Sequence, residues 1–132
     1  MTNGGKFMIS YAHERDGTFY LATVSEIDGA YEASWSVTKS NQKRTKDGVV
    51  TRDQFKRLWN TIVNAPVFHR SIPEDGNAGI DPVRFHVVGV AFERDGDQGV
   101  VTHLVPVTER DPEMTRWLRT LSATYNTKCH DH

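Results

Sequence analysis

His86 and His103 are the residues of this chain whose type and placement best suit chemistry. Each stands in an apolar run, Val83 to Glu93 and Gly99 to Val107, and Asp95-Gly96 lies between the runs. With a two- or four-residue turn, both imidazoles fall on one sheet face together with Val88, Val90, Val101 and Val105. A turn of three or five residues sends them to opposite faces. Two neutral imidazoles on neighbouring strands can ligate a metal or share a proton, with a third ligand from Glu109 or from the long loop before them. The competing reading is a pair of strand histidines hydrogen-bonded to carbonyls or held at an edge. Their spacing matches no metal motif, so neither a metal nor a cofactor is expected. His86 and His103 are the catalytic candidates of an alternative reading, a small enzyme or ligand-binding domain whose pocket is closed by residues 69 to 82.

The other handles on chemistry are missing. No nucleophile elbow, GxGxxG, GxxxxGK[ST] or HExxH occurs, which removes the usual signals for acyl transfer, dinucleotides, phosphoryl transfer and zinc proteolysis. Cys129 is alone and can form neither an internal disulfide nor a CxxC site. Asp75, Asn77 and Asp81 alternate as hard-cation ligands do, but position 12 counted from Asp75 is His86 rather than Glu, and the glycine is misplaced. That run reads as a polar turn.

Charge is the feature that departs most from a balanced surface. The 132 residues carry a net charge of −1, yet residues 39 to 57 hold seven basic side chains against two acidic ones. Lys39, Lys43, Arg44 and Lys46 sit in an apolar-free stretch read as an exposed loop, and Arg52, Lys56 and Arg57 follow on a helix, off its apolar stripe. One basic surface is therefore expected, suited to phosphate or to an acidic protein face. Trp35 and Trp59 are both assigned to the core, so no stacking platform supports base readout, and nucleic-acid binding through residues 39 to 57 is expected to be weak and non-specific.

These side chains are positioned by tight turns. Asp-Gly at Asp16-Gly17, Asp28-Gly29 and Asp95-Gly96 separates β-rich runs, the strongest local signal for hairpins. Two-residue turns place Ile9 opposite Val24, Tyr11 opposite Ala22, Ala22 opposite Trp35 and Val24 opposite Ala33, so one face of a three-strand meander is apolar. The same registers put Met8, Ala12, Phe19 and Leu21 on the back, beside Ser10, Thr23, Ser34 and Ser36. That patch is either covered by the second helix or the N-terminal arm, or it meets another protein chain, which includes a copy of this one. An open edge strand, the first or one of the last pair, offers association by strand addition.

Thr51 and Gln54 form a capping box before Phe55, Leu58, Trp59, Ile62 and Val63 at helical spacing, and Ala65-Pro66 ends that helix. Asp111 and Pro112 open a second helix carrying Met114, Trp117, Leu118 and Leu121. The last two strands are apolar on both sides and are expected to be buried more deeply than the first three. The reading is one α+β domain spanning residues 1 to 132, an antiparallel sheet of about five strands in the order βββαββα, with residues 124 to 132 a disordered tail. No apolar run approaches the ~18 residues of a membrane span and no signal-peptide h-region is present, so a cytoplasmic location without membrane contact is expected. The expected function is a small non-catalytic interaction module of adaptor, inhibitor or immunity type. Its partner is another protein or a second copy of itself, engaged through the basic residues or through Met8, Phe19 and Leu21.

Overall fold

The computed structural model describes residues 5–69, 83–108 and 110–131, with side chains described through Thr124. The run containing Asp75, Asn77 and Asp81, the candidate ligand Glu109, most of the long loop and residues 1–4 lie outside them. An antiparallel sheet carries two helices, and its strands run β1 (Lys6–Arg15), β2 (Thr18–Ile27), β3 (Ala30–Lys39), β4 (Gln42–Val49), β5 (Phe85–Arg94), β6 (Asp97–Pro106) and β7 (Cys129–Asp131). Helix α1 (Arg52–Asn64) and a 3-10 turn (Pro66–Phe68) follow β4, and α2 (Pro112–Lys128) follows β6. In space the order is β6-β5-β1-β2-β3-β4-β7.

The three Asp-Gly turns fix the registers as expected. Asp16, Asp28 and Asp95 have φ near +52°, each followed by a glycine with positive φ, which is the type I′ geometry. Ile9 pairs with Val24 and Tyr11 with Ala22, then Ala22 with Trp35 and Val24 with Ala33. β5 adds to the other side of β1, with Ile9 opposite Val90 and Tyr11 opposite Val88.

Three expectations change and one is narrowed. Residues 42–49 are not a loop but a strand, turned onto β3 by Ser40 and Asn41, both at positive φ. Asn adopts that conformation with little strain, so Ser-Asn replaces Asp-Gly here, and Asp47-Gly48 lies inside a strand. The C-terminal residues are not a frayed tail: α2 continues to Lys128, and Cys129–Asp131 pair with Lys46–Gly48. Of the two candidates for the open edge, β1 is central because β5 lies beside it, and β6, one of the last pair, is outermost. β5 and β6 are also not the deeply buried strands, because they form the outer end of the sheet and, among the described residues, helices pack on one of its faces only.

Both helices pack on the same face. The core joins Ile9, Tyr11, Ala22, Val24, Ala33, Val88 and Val105 of the sheet to Phe55, Leu58 and Ile62 of α1 and Met114, Trp117 and Leu121 of α2. Trp59 of α1 meets Phe7 edge-on at 5.5 Å, while Val63 at the margin of the stripe is exposed. The start of α1 is a full capping box: the Gln54 amide donates to Thr51 Oγ1 at 3.1 Å, and the Thr51 amide donates to Gln54 Oε1 at 3.0 Å. Thr51→Ala removes one half of it and is expected to cost about 1 kcal/mol, read as a lower urea midpoint at unchanged slope. An unmoved midpoint would show that the cap adds nothing to α1.

Candidate functional site

β5 and β6 pair His86 with Val105 and Val88 with His103, so both imidazoles do share a face, the one beneath the helices. Continued by one residue, the β1–β5 register brings His13 beside His86, with ring centroids 4.8 Å apart. Tyr11 lies one step deeper, its hydroxyl 2.8 Å from His86 Nδ1 and its ring stacked on the imidazole at 5.8 Å. Burial pushes the Tyr11 hydroxyl far above its ordinary range, so it remains protonated and donates to Nδ1. His86 is pushed down to about 4, first by burial and second by the neighbouring charge of His13. It is a neutral acceptor at physiological pH, with its remaining proton on Nε2.

His103 belongs to a second pair. Its ring lies 5.2 Å from that of His69 and 6.2 Å from Phe68. Burial lowers its pKa; a hydrogen bond to the Phe68 backbone opposes that and the charge of His69 adds to it. His69 Nε2 donates to the carbonyls of Ile62 and Val63, at 2.8 and 3.0 Å, so it caps the end of α1. The two candidates are thus each engaged with a different histidine. Among the described residues, no group of three or more His, Cys, Asp or Glu is arranged to hold a metal ion. Neither the groove of about 450 Å³ at the β1–β6 end of the sheet nor that of about 200 Å³ under α1 includes a histidine.

Strand alternation divides the basic residues. On β4, Arg44 and Lys46 face the helix side, opposite Val37 and Trp35, while Lys43 faces the back. Lys39, paired with Gln42, closes the β3–β4 hairpin. Arg52 acts on Tyr31 at the start of β3, and Lys56 lines the groove under α1 with Glu26 and Trp59, while Arg57 is exposed on the same helix. Tyr31 and Val37 are six residues apart, about 20 Å along a strand, so Arg44 stands well along the sheet from Arg52, with Lys46 opposite Trp35 between them. Trp35 packs against Tyr20 and Trp59 against Phe55, both partly buried, so neither is a free platform for a base.

The back of the sheet is the third surface. Met8, Ala12, Phe19 and Leu21 lie there as the registers require, joined by Phe85, Val87 and Ala91 of β5 and by Val100 and Leu104 of β6. The second helix, one of the two expected covers, lies on the opposite face. Met8 is 41% exposed, and beside it runs the larger groove, lined also by Ser25, Ile27, Ala91 and Val100.

Comparison with protein-family models, with curated proteins and with solved structures finds no match. The functional reading therefore rests on these three surfaces. Sequence reasoning named His86, His103 and the back patch as candidates but did not bring Tyr11, His13 and His69 to the histidines. Alternation puts Tyr11 and His13 on one face and could have joined them to a site; no local feature sets the offset between β1 and β5.

Proposed function

We propose that this chain is a small non-catalytic interaction module, of adaptor, inhibitor or immunity type, that binds another protein across the open face of its sheet. The observation that carries this reading is that both helices pack on one face. Six strands about 4.8 Å apart, with eight to ten residues at about 3.3 Å each, offer roughly 900 Å² on the other face. A standard protein interface uses about 800 Å² per partner. The chemistry suits it as well: aliphatic and hydroxyl side chains such as Leu21, Val87, Thr23 and Ser34 occupy the middle of β2, β3 and β5, whereas Lys6, Glu14, Glu32 and Glu93 stand towards the strand ends and Lys43 and Asp47 on the outer strand β4. Interfaces have that character, a core poor in charge within a polar rim.

The alternatives have less behind them. Nucleic-acid binding through residues 39 to 57 would draw on cations that strand alternation separates. An enzyme using His86 and His103 would need them at one pocket, and each is engaged elsewhere. No helix among the described residues is long and apolar enough to cross a membrane.

The test is affinity capture from the native cell with the wild-type chain and with a Met8→Glu, Leu21→Glu variant whose melting transition is retained. The variant is expected to lose a protein that the wild type holds. Capture of the same proteins by both forms, or of none by either, overturns the reading.

A further inference from the structure

His69 and His103 come from different elements and face each other with ring centroids 5.2 Å apart. β6 carries His103 on the helix side of the sheet, opposite Val88. The 3-10 turn that begins at Pro66 swings the chain out of α1 and sets His69 beside it. Phe68, the residue before His69, anchors that turn: it is buried, lies edge-on to Trp117 at 5.6 Å and borders the His103 ring at 6.2 Å. Core packing therefore sets the distance between the two imidazoles.

Each ring has one nitrogen fastened to the backbone. His69 Nε2 donates to the carbonyls of Ile62 and Val63, which leaves Nδ1 of the neutral ring as a lone pair. The bond between His103 and the Phe68 backbone favours the charged ring, so the ring donates it, to the carbonyl, and its other nitrogen is likewise a lone pair when neutral. A histidine that holds a metal almost always donates its other N–H to a backbone carbonyl, a carboxylate or water, which fixes the tautomer and aims the ring. Both histidines have that arrangement. The spacing fits as well: two imidazoles on one tetrahedral zinc, with Zn–N of about 2.0 to 2.1 Å, hold their ring centres roughly 5 Å apart. His13 and His86 are as close, but there Nδ1 of His86 accepts from the Tyr11 hydroxyl, where a ligating ring would donate.

We propose that His69 and His103 together bind a divalent ion of the zinc type, each through its free ring nitrogen. Imidazoles without carboxylates select zinc, copper or nickel over magnesium and calcium, which take oxygen ligands. His69 is exposed and His103 partly so; the ion is reached from solvent, and water completes its coordination. Bound there, it ties the chain beyond α1 to β6. The site lies on the helix side and leaves the open face free, so it stands or falls separately from the reading above.

Titration calorimetry of the full chain with zinc chloride near neutral pH tests it. One ion per chain is expected, with a dissociation constant in the micromolar range. His69→Gln and His103→Gln each delete a lone-pair nitrogen while keeping an amide donor for the backbone carbonyl, and each is expected to weaken binding at least about tenfold. His13→Gln is expected to leave it unchanged, as is a variant with both His130→Gln and His132→Gln. In the NMR spectrum zinc is expected to move the ring signals of His69 and His103 together, and this decides if either variant loses its melting transition. Rings that zinc leaves in place overturn the inference, as does an absence of binding up to near-millimolar zinc. Binding that survives His69→Gln or His103→Gln overturns it as well, and loss with the His130, His132 variant alone would place the ion at the C-terminal end and do the same.

Discussion

Replacing Trp117 by alanine is expected to destabilise the fold more than any other single truncation, by about 3 to 5 kcal/mol. Trp117 is 1% exposed and is the point where three elements meet. Its ring lies edge-on to Tyr11 of β1 at 5.8 Å and to Phe68 of the 3-10 turn at 5.6 Å, and its Nε1–H donates to the Leu58 carbonyl of α1 at 3.1 Å. Alanine leaves a cavity that all three would have to collapse to fill. Against a total stability of about 5 to 15 kcal/mol, that is a large fraction. Trp117→Phe keeps most of the ring and deletes the hydrogen bond, so it is expected to cost roughly 1 to 2 kcal/mol. Urea midpoints of the two variants separate packing from hydrogen bonding. A loss below about 1 kcal/mol for the alanine variant would mean that α2 is not locked onto α1 through this side chain.

The elements next to Asp-Gly turns were legible because two residues with positive φ set a register, and the register sorts apolar from polar side chains. Ile9, Tyr11, Ala22 and Val24 could be placed in the core for that reason. β4 was not legible. KSNQKRTKDG contains no apolar residue, so alternation leaves no mark, and the strand is held by pairing with β3. The Ser40-Asn41 turn was the available signal, weaker because Ser-Asn is less restricted than Asp-Gly. β5 and β6 are apolar on both sides without being deeply buried, because β6 ends the sheet and, among the described residues, helices pack on one face only.

The candidate site was half visible. That His86 and His103 share a face followed from the turn, but that each is paired with another histidine depends on contacts between residues far apart in the chain. His13 meets His86 only because β5 docks beside β1, and His69 reaches His103 only because Pro66 turns the chain out of α1 towards β6. The same limit applied to the cations, whose union assumed a loop. Once residues 42–49 are a strand, alternation must separate Lys43 from Arg44 and Lys46. The open back face was drawn correctly by the registers, while its exposure depended on which face the second helix chose.

Acid is expected to weaken the fold between pH 6.5 and pH 4, with His86 as the main cause. Burial and the nearby His13 hold its pKa at about 4, below the 6.5 of the unfolded chain. Across that window the unfolded chain takes up a proton that the native imidazole refuses, so stability falls as pH falls and levels off below about 4. Above 6.5 the group contributes no slope. Because water keeps some access to the ring, we expect a loss of about 2 kcal/mol rather than the larger value of a fully buried group. The lowered pKa of His103 acts in the same direction. Protonation at Nδ1 also removes the acceptor of the Tyr11 hydroxyl, 2.8 Å away, and so loosens a ring that packs on Trp117. His86→Gln retains an acceptor but cannot titrate there, and its urea midpoints at pH 7 and pH 4.5 should lie closer together than those of the wild type. NMR titration of the His86 ring gives the direct reading: a midpoint near 4 is expected, and one near 6.5 would show that the ring is open to water and the Tyr11 hydrogen bond is not maintained.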